Sequence, residues 1–321
     1  MTGPAAFVLS AGLGTRLAPL TGILPKPLVP VFGKPLVTFA LDNLITVGIS
    51  SIALNTHHLP DAFSRVFGAR PLYREHHLQL FHEPLLLDTG GGICNARGAM
   101  GDAPFFLYNG DILADPPLVE LMDLHTISGA LATLLLRSNG GLANVRFDAG
   151  SSCILDMRGD LGVQEGMLSV YSGIAVLDPE IFEWIPPKGP YSIIDALLAA
   201  MRTGKKVSGM LSDGLWLDVG TPAAYLDAHC RLADPAQRPA SVVDTKWPQF
   251  IHPHARVESS ATLEGMVSVG PRAEIGEGAF VRDSVIWPDA VILPGAVVED
   301  CIVSGSMPVG GEHRNSRGGV L

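Results

Sequence analysis

Two glycines, an arginine and a lysine between two prolines follow the first short apolar run of the chain. The run is Ala5–Leu9, and the connection after it reads SAGLGTRLAPLTGILPKPLVPV. Glycine-rich turns after strands expose backbone N–H groups that bind anions, above all phosphates. The spacing fits neither the dinucleotide fingerprint, which needs Gly or Ala where Leu17 stands, nor the Walker pattern, which needs Gly-Lys-Ser/Thr. We therefore predict a phosphate-binding connection of another kind.

The elements that must position this connection alternate along the chain up to about residue 230. Strand-like runs such as AFVLS, SSIALNT, LQLFHE and PFFLYNGD alternate with helix-like stretches such as PLVTFALDNLITVG, LPDAFSRVFG and GGGICNARGAM. This order predicts an α/β fold with a Rossmann-like, mostly parallel sheet and helices on both faces. Ligands of such sheets bind beyond the carboxyl ends of the strands.

A second periodicity begins near residue 250. Aliphatic residues recur every six positions from Ile251 to Val281 and, after a step of five, from Ile286 to Val298. This hexapeptide repeat predicts a short left-handed parallel β-helix of about three coils. We therefore expect a first domain over 1–232, a linker over 233–249, the β-helix over 250–303 and a mobile tail over 304–321.

Composition restricts the class of protein. The 321 residues are 47% hydrophobic with a net charge of −10, which argues against a nucleic-acid partner. No apolar run reaches the roughly 18 residues of a membrane span, and the N-terminus has no signal-peptide pattern. The four cysteines show no metal-binding spacing and are expected to be reduced thiols. We expect a cytoplasmic protein without membrane partners.

Several motifs together resemble one family. SAGLGTRLAPLTGILPKPLVPV is similar to the signature of the sugar-1-phosphate nucleotidyltransferases, and EPLLLDTGGGICNA, NGD, YSGIAVL and WLDVGTPAAYL follow in that family's order. The resemblance covers residues 5 to about 230 and implies a catalytic domain that condenses a nucleoside triphosphate with a sugar 1-phosphate, releasing pyrophosphate. The DTGGG form is similar to mannose-1-phosphate guanylyltransferases and N-acetylmuramate-1-phosphate uridylyltransferases.

The resemblance gives the phosphate connection its roles. Arg16, with its planar fork, is expected at the β/γ-phosphates, and Lys26 at the α-phosphate and the developing charge. Pro25 and Pro27 fix the backbone on either side of Lys26. The surrounding nucleotide contacts are expected from Leu9, Ala11, Gly12, Gly14 and Thr15. Lys34 and Arg97 are expected to be surface residues.

Two aspartates are candidate metal ligands. Asp111 in NGD and Asp218 in WLDVGT each end an apolar stretch, so both are expected at strand ends. Carboxylates at separate strand ends suit Mg²⁺, which prefers oxygen ligands and substrate phosphates. The alternative for either residue is a cap or a turn.

The base and sugar contacts follow from the remaining motifs. Glu83 and Asp88 are candidate acceptors for the base, with Thr89 and Gly90 beside it; in the alternative interpretation, Glu83 only caps a loop. For the sugar phosphate we expect Asn109 and Gly173, together with two residues of LDMRGD, Asp156 and Arg158. Arg158 stands where many family members have the lysine of Glu-Lys-Pro. The adjacent His57 and His58 are expected to be structural or to lie at the substrate rim.

The predicted function is transfer of a nucleotidyl group to a sugar 1-phosphate, with GTP and mannose 1-phosphate as the first choice. Uridylyl or thymidylyl transfer to another sugar 1-phosphate is the alternative enzyme. A catalytically silent protein that binds a nucleotide sugar is the alternative of a different class. Acyl transfer by so short a β-helix is improbable. The exposed flank of the β-helix could also form a homo-oligomer contact.

Overall fold

The computed structural model describes residues 5–68, 73, 76–242, 246–305 and 307–316. These residues form two compact units. Unit 1 consists of the described residues of Met1–Leu13 and Val37–Trp216, and unit 2 of those of Gly14–Leu36 and Leu217–Leu321. No helix in the described part of the chain is both long and apolar enough to cross a bilayer.

In the described residues, seven α-helices and thirteen strands precede the C-terminal strand array. The helices are α1 Val37–Thr46, α2 Pro60–Gly68, α3 Asp88–Asn95, α4 Arg97–Met100, α5 Leu118–Ser128, α6 Ile193–Arg202 and α7 Pro222–Ala233. The strands are β1 Ala5–Leu9, β2 Pro30–Val31, β3 Lys34–Pro35, β4 Ser51–Thr56, β5 Leu78–His82, β6 Phe105–Asn109, β7 Ile112–Ala114, β8 Ala132–Arg137, β9 Val145–Asp148, β10 Cys153–Met157, β11 Met167–Leu177, β12 Val207–Leu211 and β13 Trp216–Asp218. The helices and strands expected from the periodicity of the first hundred residues are confirmed.

Unit 1 is built on a nine-stranded sheet with the order β5-β4-β1-β6-β11-β8-β12-β10-β9. Strands β5, β4, β1 and β6 are parallel to one another, as expected of an α/β fold. Strand β11 runs antiparallel to both its neighbours, β6 and β8, so the sheet is mixed. Strands β9 and β10 are antiparallel as well, as their short connection requires, because parallel neighbours need longer crossovers.

The parallel strands bring two predicted site residues to one edge of the sheet. Leu9 ends β1 and lies in register with Asn109, which ends β6. The N–H of Gly110 donates to the carbonyl of Leu9 at 2.8 Å, which holds the two strand ends together. Leu9 and Asn109 therefore lie side by side at the carboxyl ends of their strands.

Unit 2 contains a parallel β-helix. Its strands are β14 Gln249–Ile251, β15 Arg256–Val257, β16 Thr262–Val269, β17 Glu274–Ile275, β18 Phe280–Ile286, β19 Val291–Ile292, β20 Val297–Glu299, β21 Ile302–Val303 and β22 Glu312–Arg314. Gln249 pairs with Val267, and Thr262 with Phe280, so a coil takes 18 residues, three times the six-residue spacing. The periodic aliphatic side chains from Val269 to Val298 form its core, whereas Ile251 is exposed.

The C-terminal residues and the domain boundary differ from expectation. Residues 312–314 form β22, which pairs with β20, so the predicted mobile tail over 304–321 is wrong for this stretch. Residue 306 and residues 317–321 lie outside the described part of the chain. Residues 14–36 and helix α7 also group with the β-helix rather than with the first domain of 1–232. Self-association through the β-helix stays a prediction.

A buried histidine of unit 2 predicts acid sensitivity. The N–H of Phe32 donates to Nε2 of His229 at 3.2 Å, so the ring carries its proton on Nδ1, which lies 3.0 Å from the carbonyl of Tyr225. Burial lowers the pKa of His229 to about 4. As pH falls from 6.5 to 4, the His229 imidazole is protonated in the unfolded chain but stays largely neutral in the folded chain. The free energy of unfolding then falls by about 3 kcal/mol.

Tryptophan fluorescence during urea unfolding measures this loss. A His229→Gln variant is expected to be less stable near neutral pH but to lose less further stability between pH 6.5 and pH 4. Equal slopes for the two proteins would contradict the assignment.

Candidate active site

Lys26 and Asp218 form the centre of the predicted site within unit 2. Nζ of Lys26 donates to Oδ1 of Asp218 at 3.1 Å, although the two residues are 192 positions apart. The lysine side chain is only 6% exposed, and the aspartate side chain is 38% exposed. Arg16 approaches the other carboxylate oxygen at 3.5 Å and is 69% exposed. Lys26 and Arg16, the two cations predicted to bind phosphates, therefore both contact Asp218, a predicted metal ligand, and Arg16 is open to solvent.

The local backbone explains why Lys26 lies there. Pro25 precedes a short 3-10 helix, Lys26–Leu28, which Pro27 also favours. Gly14 has a φ of 63°, and a Cβ at this position would lie 2.9 Å from Cβ of Lys26. Glycine at position 14 therefore permits both the left-handed turn and the close approach of the lysine stem.

The other predicted nucleotide contacts differ in accessibility. Gly12 is exposed, with open space where a Cβ would be, and Thr15 is exposed at the start of a 3-10 helix. Leu9 is half-buried and Ala11 is buried. Gly12 and Thr15 are thus the members of this set that leave room beside the backbone for phosphate oxygens.

Glu83 lies inside unit 1 rather than at its surface. It is fully buried, and its Oε1 accepts from Nδ2 of Asn55 at 2.8 Å while its Oε2 accepts from the N–H of Leu87 at 3.0 Å. Oδ1 of Asn55 in turn accepts from the N–H of Ser10 at 2.6 Å. The expected contact with the base is corrected, because Glu83 fixes the end of β1 and the loop before α3 instead.

The DTGGG motif begins helix α3. Asp88 is exposed, and its Oδ1 accepts from the N–H of Thr89 at 2.6 Å. The hydroxyl of Thr89 accepts from the N–H of Ile193, and the N–H of Gly90 donates to the carbonyl of Tyr191. A Cβ on Gly90 would lie 2.9 Å from that carbonyl oxygen. The glycine thus serves the close packing of α3 against residues 189–193, and Asp88 is the carboxylate of the pair that remains open to a base.

Asn109 and Gly173, both predicted to contact the sugar phosphate, lie close together. Gly173 has a φ of 86°, and a Cβ there would lie 2.5 Å from Nδ2 of Asn109. The register of β11 shifts between Tyr171 and Ala175, which places this glycine at an irregularity of the strand. Any larger residue at position 173 would displace the Asn109 amide.

The two candidates in LDMRGD have different surroundings. Asp156 is fully buried and accepts from the N–H groups of Leu161 and Val163, both at 3.1 Å. It therefore holds the following turn, and its expected contact with the sugar is corrected. Arg158 has a φ of 62° and pairs with Oδ1 of Asp195 at 2.8 Å and with the hydroxyl of Ser192 at 3.0 Å.

Arg158 borders a cavity of about 300 Å³ within unit 1. Its lining includes Asn144, Met157, Arg158, Tyr171, Ile194 and Trp216. Burial raises the pKa of the Tyr171 phenol above its ordinary range, so its hydroxyl stays protonated. The cavity thus combines apolar side chains with one guanidinium and one amide, which suits a small ligand that carries an anionic group.

The donor set for a metal is small. Asp111 follows β6 in unit 1 and Asp218 ends β13 in unit 2, so a metal shared by both stays a prediction. The described residues contain no group of three or more His, Cys, Asp or Glu side chains arranged around a metal. Two carboxylates fit Mg²⁺ because this ion keeps waters and takes substrate phosphates as its further ligands.

Several residues of these networks were not predicted from the sequence. Asn55 is the clearest omission, since it is a polar residue near the end of a buried strand, as Asn109 is. Ser192 and Asp195 carry a capping pattern, Ser-x-x-Asp, that announces the start of α6, and Ser192 does accept from the N–H of Ile194. His57 lies 2.7 Å from the carbonyl of Glu83, which supports a structural role.

Comparison with known proteins identifies the family. A model described as "Nucleotidyl transferase" matches residues 5–140, and one described as "GMPPB C-terminal domain" matches residues 246–321. N-acetylmuramate alpha-1-phosphate uridylyltransferase of Caulobacter vibrioides is 31% identical over 261 residues, which cover 71% of this chain and 97% of that protein. The chain belongs to the sugar-1-phosphate nucleotidyltransferase family.

Other relatives extend further along the chain. Mannose-1-phosphate guanylyltransferase of Mycobacterium tuberculosis is 29% identical over 280 residues, covering 85% of this chain and 77% of that protein. Mannose-1-phosphate guanyltransferase of Schizosaccharomyces pombe is 28% identical over 283 residues, covering 85% and 73%. The crystal structure of HddC from Yersinia pseudotuberculosis complexed with GMP-PN has the same fold, with a TM-score of 0.57 at 22% identity over 70% of this chain and 97% of HddC.

The interior position of Glu83 makes a testable prediction about stability. Glu83→Ala leaves the Asn55 amide and the Leu87 N–H without their acceptor, and is expected to lower the free energy of unfolding by about 3 kcal/mol. The matched control is Glu165→Ala, which removes an exposed carboxylate. Thermal unfolding compares the two. An unchanged melting temperature for Glu83→Ala, combined with weaker nucleotide binding, would restore the direct contact with the base.

Proposed function

We propose that the chain transfers a guanylyl group from GTP to mannose 1-phosphate, releasing pyrophosphate, with Mg²⁺ as cofactor. The observation that carries the proposal is the cluster of Lys26, Asp218 and Arg16 in a member of this family. Lys26 is buried and contacts a carboxylate, whereas Arg16 beside it is exposed. The two cations therefore suit two phosphates, one below the surface and one at the surface.

The reaction needs positive charge in the right positions more than it needs acid–base groups. The attacking phosphate oxygen of the sugar is already an anion, and pyrophosphate leaves as one. Repulsion between the anions and in-line alignment at the α-phosphorus are therefore the obstacles, and cations fixed in advance lower both. In this mechanism Lys26 contacts the α-phosphate, and Arg16 contacts the β- and γ-phosphates.

A bound Mg²⁺ would neutralise phosphate oxygens of the two substrates and offset their repulsion. Asp111 and Asp218 would hold it. The contact of Lys26 with Oδ1 of Asp218 would orient that carboxylate for this purpose. In addition, the exposed Asp88 would accept from the base, and guanine offers N1–H and the 2-amino group to one carboxylate.

The sugar phosphate is assigned to the cavity beside Arg158, with Asn109 and Gly173 near the hydroxyls. Arg158 is already fixed by Asp195 and Ser192, so its guanidinium is oriented before a ligand arrives.

Guanine and mannose are preferred because of how far the relatives align. The guanylyltransferases match 85% of this chain, and the GMPPB C-terminal domain model matches residues 246–321. The uridylyltransferase relative is shorter, because 71% of this chain already aligns with 97% of that protein. The remaining residues of this chain therefore have no counterpart in it.

Substitution of the central residues tests the mechanism. Lys26→Ala, with Lys26→Met as a second variant of similar length, is expected to lower kcat about 10²- to 10³-fold, since a charge placed for the transition state is lost. Asp218→Asn is expected to act similarly. Lys188→Ala and Asp102→Asn are matched controls at exposed positions and should retain turnover. Near-normal activity of a folded Lys26 or Asp218 variant would refute the assigned role.

A matrix of substrates tests the reaction itself. Pyrophosphate release is measured with GTP, UTP, dTTP, CTP and ATP against a panel of sugar 1-phosphates, with Mg²⁺ and with EDTA in its place. We expect GTP with mannose 1-phosphate to be the productive pair and EDTA to abolish release. Productive UTP or dTTP with another sugar would select the alternative enzyme. Binding of a nucleotide sugar without release from any pair would indicate the silent regulatory protein.

A further inference from the structure

The segment that carries Lys26 ends in a hairpin whose tip is enclosed by aromatic residues of unit 2. Strands β2 and β3 are joined by Phe32 and Gly33, with φ values of 45° and 75°, as a two-residue hairpin turn requires. The Phe32 ring is buried and stacks on Trp247 at 4.5 Å. A Cβ on Gly33 would lie 2.3 Å from the Phe250 ring, so only glycine fits. The hairpin tip is therefore fixed against residues that lead into the β-helix.

A second attachment reaches the same hairpin from the wall of the β-helix. Trp287 follows β18, and its Nε1–H donates to the hydroxyl of Tyr225 on α7 at 3.2 Å. The Tyr225 hydroxyl donates in turn to the carbonyl oxygen of Pro30, the first residue of the hairpin. Both side chains are fully buried. Two hydrogen bonds in series thus connect the β-helix with a residue four positions after Lys26.

The backbone between Pro30 and Lys26 is itself held at short intervals. The N–H of Val29 donates to the carbonyl of Lys26 at 3.1 Å, and the N–H of Leu36 donates to the carbonyl of Val29 at 3.0 Å. Pro25 and Pro27 restrict the φ angles on both sides of the lysine. A displacement of Pro30 is therefore transmitted to Lys26 rather than absorbed by a flexible loop.

Packing alone does not account for the polar atoms in this connection. Phenylalanine at position 225 would fill nearly the same space as tyrosine, and a buried hydroxyl or indole N–H is costly unless it is satisfied. Here the Tyr225 hydroxyl donates to the Pro30 carbonyl and accepts from the indole N–H of Trp287. These two hydrogen bonds fix the orientation of the Pro30 carbonyl in addition to filling the space.

We propose that Tyr225 and Trp287 are positioning residues for Lys26, and that the β-helix thereby sets the geometry of the phosphate-binding segment. The proposal rests on the proposed function, because Lys26 is taken to act on the α-phosphate. Tyr225 acts on Lys26 through Pro30, and Trp287 acts only through Tyr225. The β-helix is then a part of the catalytic apparatus and not only a scaffold beside it.

Steady-state kinetics of pyrophosphate release test the proposal with Tyr225→Phe, Trp287→Phe and the double variant. Each single variant is expected to lower kcat about tenfold while the KM for each substrate changes less, since Lys26 shifts against the transition state. The double variant should be no slower than Tyr225→Phe alone, because the chain is already broken at Tyr225. Tyr73→Phe and Trp184→Phe in unit 1 are the matched controls and should leave kcat unchanged.

Hydrogen exchange supplies a readout that does not depend on turnover. The amides of Leu28, Val29 and Phe32 are expected to exchange about fivefold faster in Tyr225→Phe and Trp287→Phe, while those of α6 in unit 1 stay unchanged. Wild-type kcat in both variants with only a lower melting temperature would overturn the proposal, as would multiplicative losses in the double variant. If the wild-type protein released no pyrophosphate, the proposed function would fail, and unchanged exchange would then refute the positioning role separately.

Discussion

An ammonium group taken out of water requires a carboxylate at contact distance, and in this chain the pair is Lys26 and Asp218. Ion pairs of this kind lose much of their solvation, so they form only where the surrounding backbone holds both partners in place. Gly14 supplies room for the lysine stem, and the flanking prolines restrict its backbone. The charge of Asp218 is in turn shared with Arg16, which faces solvent. The properties expected of the site follow from this one contact.

Carboxylates in this protein separate into two groups according to what their oxygens contact. Glu83 and Asp156 are fully buried, and each uses both oxygens to bind N–H groups of its own chain. Asp88 and Asp218 keep part of their carboxylate open to solvent. The first group stabilises loops of unit 1, and the second is the one from which ligand contacts are proposed. An acidic residue in a family motif can thus belong to either group.

Local periodicity was sufficient to predict most elements, whereas contacts between residues far apart in the sequence could not be predicted from it. The apolar runs gave β1, β4 and β6 and the helices between them, and the six-residue spacing gave the β-helix coils. The opposite burial of Glu83 and Asp88 depends on Asn55 and Leu87, which no pattern near either residue announces. Strand β22 has no apolar period by which the sequence could have predicted it. It is held by its pairing with β20 and by the ion pair of Arg314 with Glu299. The grouping of residues 14–36 with unit 2 likewise depends on the distant Trp247 and His229.

The separation of 192 positions between Lys26 and Asp218 has a consequence for biosynthesis. Ribosomes add about 5–20 residues per second, so the segment with Lys26 emerges roughly 10–40 s before its carboxylate partner exists. Trp247 and Trp287 appear later still. Strands β1, β4 and β6 can pair during that interval, but the segment between β1 and α1 has to wait for the carboxylate partner of Lys26. The nascent chain can therefore form the strand pairs of unit 1 first, and the contacts of Lys26 and Pro30 only after Asp218, Tyr225 and Trp287 have been added.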